Sequence, residues 1–199
     1  MLKKVLLIIT LVLPVLLAKA QTTDTLLLNK LADFDMSTLN GDNSHAVMLG
    51  ENILSDTGKL NAKERISFFA KLAKTYENTD EDTKATFYYE KVAAAEPNYY
   101  VAQRALGYLY NDKAEACQLK LYITPKHAGD YQKLSDDYRK AVLKTLPYLE
   151  KAQACDPDDD TMDLIRTLHM NIHDDQGLNS LNSRLMELKK NCVDLLSDK

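Results

Sequence analysis

Apolar residues recur along the chain at three- and four-residue intervals, separated by short polar breaks, and this spacing predicts helices in succession. Leu27, Leu31 and Phe34 fall on one helical face; Asn40, Gly41 and Asp42 interrupt the pattern, and Ala46, Leu49 and Ile53 resume it. Residues 21–60 therefore read as a helical hairpin. A second helix pair follows. Asn61 with Glu64 three positions later is a reciprocal capping arrangement that opens a helix, and Ile66, Phe69, Leu72, Ala73 and Tyr76 form its apolar stripe. Thr79 through Asp82 make the next polar break, with Thr79 and Asp82 expected as a second capping pair. The helix after it carries Ala85, Tyr89 and Val92 and stops before Pro97.

The spacing of large and small residues is periodic on a longer scale. From Phe69 through Leu72, Ala73, Tyr76, Ala85, Tyr89 and Val92 to Pro97, the steps are 3, 1, 3, 9, 4, 3 and 5. Ala73 and Ala85 are small where two helices would cross closely, and Tyr76 and Tyr89 fill the space beside them. Adding 34 to the first positions gives Leu106, Gly107 and Tyr110, with Gln103 in place of the leading aromatic. The segment Tyr148, Leu149, Glu150, Lys151, Ala152 echoes Tyr88, Tyr89, Glu90, Lys91, Val92, but it arrives 60 residues later, so 26 residues are inserted. Thr124, Pro125 and Gly129 mark a break within the insertion, and 131–154 reads as one long helix in which Pro147 should produce a kink or a fresh start. A third copy runs through Ile165, Leu168, Ile172, Leu181, Leu185 and Leu188, with His169 and Leu181 at the formerly small positions.

This register resembles the tetratricopeptide repeat family, whose period is about 34 residues. The resemblance covers 66–195: repeat 1 at 66–99, repeat 2 at 100–159 with the insertion at 111–137, and a divergent repeat 3 at 162–195. The N-terminal hairpin at 21–60 would be a degenerate copy. The segment from Leu146 to Pro157 also looks like the exported repeat proteins of Gram-negative bacteria. The resemblance implies an all-α superhelix of antiparallel helix hairpins, whose first helices line a concave groove for a peptide or protein partner. It implies no catalysis. Groove positions carried over from the family are Ser67, Ala70, Lys74, Glu77 and Asn78 in repeat 1, and Val101, Arg104, Tyr108, Asn111 and Asp112 in repeat 2. In repeat 3 they are Asp163, Arg166, Met170, His173 and Asp174. The family's carboxylate clamp requires Lys and Asn where this chain has Ala70 and Lys74. Arg104, Tyr108 and Arg166 are the preferred anchors, because Tyr and Arg dominate binding hot spots, with Lys74, Asn78, Asn111 and Met170 as further groove candidates.

Composition agrees with a holding role. Only 6 glycines and 5 prolines occur among 199 residues, which suits helices. The net charge of −4 has the wrong sign for phosphate-backbone binding. Residues 1–20 read as a secretory signal: basic Lys3 and Lys4, an apolar run of about fourteen residues ending at Ala18, and a small-residue cleavage pattern before Gln21. That run is shorter than the roughly twenty residues of a membrane span. Cleavage would leave 22 Lys plus Arg against 29 Asp plus Glu, a net charge of −7 on a soluble periplasmic or secreted chain. An oxidising compartment permits disulfides. Cys117, Cys155 and Cys192 allow at most one internal bridge in three pairings, the alternative being three small buried residues.

Reactive chemistry finds little support. His169 and His173 share a helical face at metal-ligand spacing, but Met170 stands where a zinc peptidase needs glutamate. Asp156, Asp158 and Asp160 begin like a calcium loop, yet Thr161 and Thr167 replace the required glycine and glutamate; capping the next helix explains them better. Cys117 and His127 lack a nucleophile elbow or oxyanion loop. The reading is a non-catalytic scaffold or adaptor with no cofactor or metal. Its rivals are a self-associating structural protein, and a metal or small-molecule binder at His169 and His173.

Overall fold

A computed structural model describes residues 25–194. Eight α-helices account for most of them: α1 (25–39), α2 (Asn43–Ile53), α3 (Ala62–Glu77), α4 (Asp82–Ala95), α5 (Tyr100–Ile123), α6 (Tyr131–Cys155), α7 (Asp159–Asn171) and α8 (Asp175–Leu188). Short 3-10 turns follow α2 and α8. Among the described residues the only β-type pairing is an isolated bridge between Tyr99 and Val193. The chain is all-α. The signal sequence expected at 1–20 lies outside the described residues.

Local chemistry sets the breaks. Gly41 takes φ +73, a left-handed conformation that glycine adopts without a Cβ clash. Asp42 then caps α2 by accepting from the His45 N–H at 3.2 Å. Asn61 and Glu64 form the reciprocal pair at the start of α3, each bond 2.9 Å. The expected pairing of Thr79 with Asp82 does not form. The Thr79 hydroxyl donates backwards to the carbonyls of Thr75 and Tyr76, and Asp80 carries the turn at φ +59, so α4 begins without a side-chain cap. Asp158 caps α7 by accepting from the N–H and hydroxyl of Thr161, both at 2.8 Å. That is the helix-capping role expected of the aspartate cluster.

Each helix packs on the next in chain order, and α8 also returns to α6. Phe34, Ala46, Ile53, Leu72, Ala73, Tyr76, Ala85, Tyr89 and Val92 share one core with Leu106 and Tyr110. Phe68 is buried deeper than the Phe69 of the repeat register, which packs at the core margin against Tyr88. A second core joins Ala114 of α5 to Tyr138, Val142, Leu146 and Leu149 of α6 and to Ile165, Leu168, Ile172 and Leu181. Gly107 is needed where α5 crosses α6: a Cβ there would stand 2.5 Å from Leu149 Cδ2 and 3.2 Å from its backbone nitrogen.

The insertion expected at 111–137 is no separate unit. It lengthens both helices of one hairpin, α5 to 24 residues and α6 to 25, against 16 and 14 for α3 and α4. α6 continues through Pro147, so the expected fresh start there does not occur. The break at Thr124, Pro125 and Gly129 is the hairpin's end.

A strap closes the far end. Cys155 and Cys192 form a disulfide, one of the three possible pairings, and Cys117 is a half-buried free thiol. Beside it, buried Lys151 donates to the carbonyls of Leu188 at 2.9 Å and Asn191 at 2.7 Å, and desolvation lowers its pKa. The strap continues to Val193, whose N–H donates to the Asn98 carbonyl at 2.9 Å.

Candidate partner-binding groove

The first helices of successive pairs frame a depression of about 360 Å³. Asp35, Thr38 and Leu39 come from α1, Ser67, Ala70, Lys71 and Lys74 from α3, and Tyr99 and Val101 from the start of α5, with Tyr89 of α4 behind them. Ser67, Ala70, Lys74 and Val101 among these are four of the carried-over groove positions. The surface is apolar with a charged edge. Leu39 is 81% exposed and Val101 40%, while Lys71 holds both oxygens of Asp35 at 2.8 Å.

Lys74 pairs with Glu77 at 3.0 Å, and the other oxygen of Glu77 accepts from the Tyr89 hydroxyl at 2.8 Å. Burial, reinforced by that carboxylate, raises the Tyr89 pKa well above the ordinary phenol value, so Tyr89 stays a neutral donor at the groove wall. Asn78 lies beyond the depression and donates to the Asn43 side chain at 3.2 Å.

The preferred anchors of repeat 2 face α7. Arg104 Nη1 meets the Asp156 carboxylate at 3.2 Å, and Nη2 donates to the Asp156 carbonyl. The Tyr108 hydroxyl bonds Thr161 Oγ1 at 2.9 Å. Arg104 thus ties α5 to the turn between α6 and α7, and Tyr108 ties it to the first turn of α7, although Tyr108 remains 38% exposed. Asn111 is buried and donates to Glu115 at 2.7 Å, leaving its Oδ1 without a partner. Arg166 and Met170 are exposed on α7, Arg166 reaching Asp163 at 3.4 Å. The seven candidates therefore do not converge on one place. Lys74 lines the depression; Arg104 and Tyr108 lie at the α5 and α7 seam; Arg166 and Met170 lie farther along.

The chain matches no family model and no curated protein. Sequence spacing does not single out Asp35, Thr38 and Leu39, because α1 lies outside the repeat register, nor Lys71, which falls between the carried-over positions of α3.

The histidines separate. His173 lies past the end of α7 at φ +54, so the two rings do not share a helical face. His169 is buried, with Nδ1 2.9 Å from Asp174 and Nε2 3.1 Å from Glu150. Arg184 clasps both oxygens of buried Glu150, at 2.5 and 2.8 Å. The Glu150 hydrogen bond raises the Arg184 pKa, and the Gly177 N–H, ahead of His169, lowers that of Asp174. No sequence signal predicted this cluster, whose members stand 5, 19 and 34 residues apart. Among the described residues no set of three His, Cys, Asp or Glu side chains is placed to hold a metal.

Proposed function

We propose that the chain is an exported, non-catalytic scaffold of tetratricopeptide type that holds a peptide or protein segment on the concave side of its helix stack. The observation that carries this reading is the depression between α1, α3 and α5, because Ser67, Ala70, Lys74 and Val101 line it together as the repeat register expects. Successive packing of α2 on α3, α4 on α5 and α6 on α7 supports the superhelical arrangement. Export is supported by the basic and apolar pattern at 1–20 and by the disulfide, which suits an oxidising compartment. No described helix is long and apolar enough to cross a membrane.

In this reading Leu39, Ala70 and Val101 supply apolar contact, and Lys74, Tyr89 and Asp35 supply polar register. Arg104 and Tyr108 act mainly by fixing α7 against α5, extending a rigid wall. Rigid display limits the ordering cost of binding to the partner. The test is cross-linked capture from cell-envelope extract using the mature chain, Ala70→Arg and Val101→Glu in the groove, and Met48→Ser on exposed α2 as control. Partners lost with both groove variants and kept by the control support the groove. Identical partners with all four proteins overturn it.

A further inference from the structure

At the opposite end from the groove, a cavity of about 550 Å³ opens between the tip of the α5 and α6 hairpin and the turn after α7. Its charge is out of character for the molecule. Asp and Glu outnumber Lys and Arg in the chain, 29 to 25, yet no carboxylate lines this cavity, whereas Lys126, Arg139 and His173 all do. Among the described residues Lys126 forms no ion pair with a carboxylate, as is true of several other exposed lysines such as Lys120 and Lys133.

Arg139 is held at the cavity by one bond, from Nη1 to the Ile172 carbonyl at 2.5 Å. The nearby carboxylate of Asp174 is already committed to the Gly177 N–H at 3.0 Å and to His169 at 2.9 Å. Neutral hydrogen-bonding groups make up much of the rest, the phenols of Tyr122, Tyr131 and Tyr138 with Gln118 and Asn171, and Leu121 and Ile172 add apolar wall. Two cations in a lining without a carboxylate, beside hydroxyl and amide groups, suit a phosphate on a small polar body, since guanidinium and ammonium groups satisfy phosphate oxygens by charge-assisted bonds. The volume falls within the range of small-ligand sites.

We propose that this cavity binds a phosphate ester, with Lys126 and Arg139 on the phosphate and the tyrosines around its polar body. Two sources share that chemistry: a soluble phosphorylated metabolite and an anionic lipid headgroup. The second has a feature in its favour on α5, where the lining residue Tyr122 shares one helical face with Leu119 and Ile123, the three being 86%, 63% and 70% exposed.

The site is tested by titrating the full mature chain calorimetrically with glycerol 3-phosphate, with glycerol as the uncharged control, and by co-sedimentation with phosphatidylglycerol and phosphatidylcholine vesicles. Binding of glycerol 3-phosphate, absent for glycerol and weakened at least tenfold by Lys126→Glu, is the result expected for a soluble ester. Binding to phosphatidylglycerol vesicles alone, lost with Lys126→Glu and with Leu119→Ser plus Ile123→Ser, assigns the headgroup. Lys126 is exposed, so its replacement leaves folding intact; Arg139→Gln is read only after a thermal melt. Failure of both phosphate probes to bind at 10 mM phosphate, or binding unchanged by Lys126→Glu, overturns the proposal. The partner groove is not involved, so either reading survives failure of the other.

Discussion

Replacing Gly107 by alanine tests the helix crossing at the centre of the molecule. The new methyl would sit 2.5 Å from Cδ2 and 2.8 Å from Cγ of Leu149, and 3.2 Å from its backbone nitrogen. Leu149 is fully buried. Rotating its terminal methyls does not relieve a contact at the branch carbon and the main chain, so α5 and α6 must move apart. Overpacking costs about 1–3 kcal/mol, and contacts with the branch carbon and the main chain place this case in the upper part of that range, about 2–3 kcal/mol, against about 1 kcal/mol gained because alanine favours helix over glycine. The net expectation is a loss of about 1–2 kcal/mol, or about 2–8 °C in melting temperature for a domain of this size. Gly50→Ala meets only the far ends of Leu72 and Phe34, at 2.6 and 3.2 Å, and Gly58→Ala meets nothing within 4 Å. Urea and thermal unfolding followed by far-ultraviolet circular dichroism should therefore rank Gly107→Ala below Gly50→Ala and Gly58→Ala. Leu149→Ala in the Gly107→Ala background should cost less than the sum of the single losses. A Gly107→Ala protein as stable as the parent, or strict additivity with Leu149→Ala, would refute the close crossing.

Reduction of the Cys155–Cys192 bridge, or Cys192→Ser, reopens a loop of 37 residues and should lower stability by about 4 kcal/mol on the loop-entropy relation; Cys117→Ser under the same melt should change little. Arg184→Ala leaves buried Glu150 beside His169 without its clasp, and because Arg184 is one-third exposed the loss should be about 2 kcal/mol, below that of a fully buried pair; Glu150→Gln in that background should recover part of it in urea unfolding. Asp158 and Asp174 have lowered pKa values, chiefly from the Thr161 and Gly177 N–H groups respectively. Their contribution is complete above the unfolded aspartate pKa of about 3.9 and is lost as pH falls through the folded values. Melting temperature should thus hold from pH 7 to about 5 and drop below about 4, and Asp158→Ala should flatten that drop.

The helices were legible because their periodicity and caps are local. Asn61 with Glu64, Asp158 with Thr161, and glycine at 41 each act within three residues of a boundary. The close crossing at Gly107 was legible through the repeat register. Side-chain environment was not. Glu90 and Lys91 are exposed, whereas Glu150 and Lys151, the same pair in the same register, are buried. The difference arises because α8 and the strap fold back over α6 and supply Arg184 and the carbonyls of Leu188 and Asn191. For Arg104 and Tyr108, spacing within one helix could not reveal that the turn after α6 would supply Asp156, and α7 Thr161, as their partners. Likewise, the insertion was visible as a length, while its form as two extended helices depends on where Pro125 and Gly129 place the turn.

Linear helix stacks ordinarily fray from their ends, since a terminal pair has a neighbour on one side only. Here the last pair is enclosed: the covalent bridge between Cys155 and Cys192 begins at the end of α6 and closes after α8. Tension applied downstream of residue 194 passes through sulfur to α6 before it reaches α7 or α8. The final pair is therefore bypassed as a mechanical weak point, and a bound partner pulling on that end would load the longest hairpin in the molecule. Under reducing conditions the load path reverts to α8, and peeling from the end becomes possible.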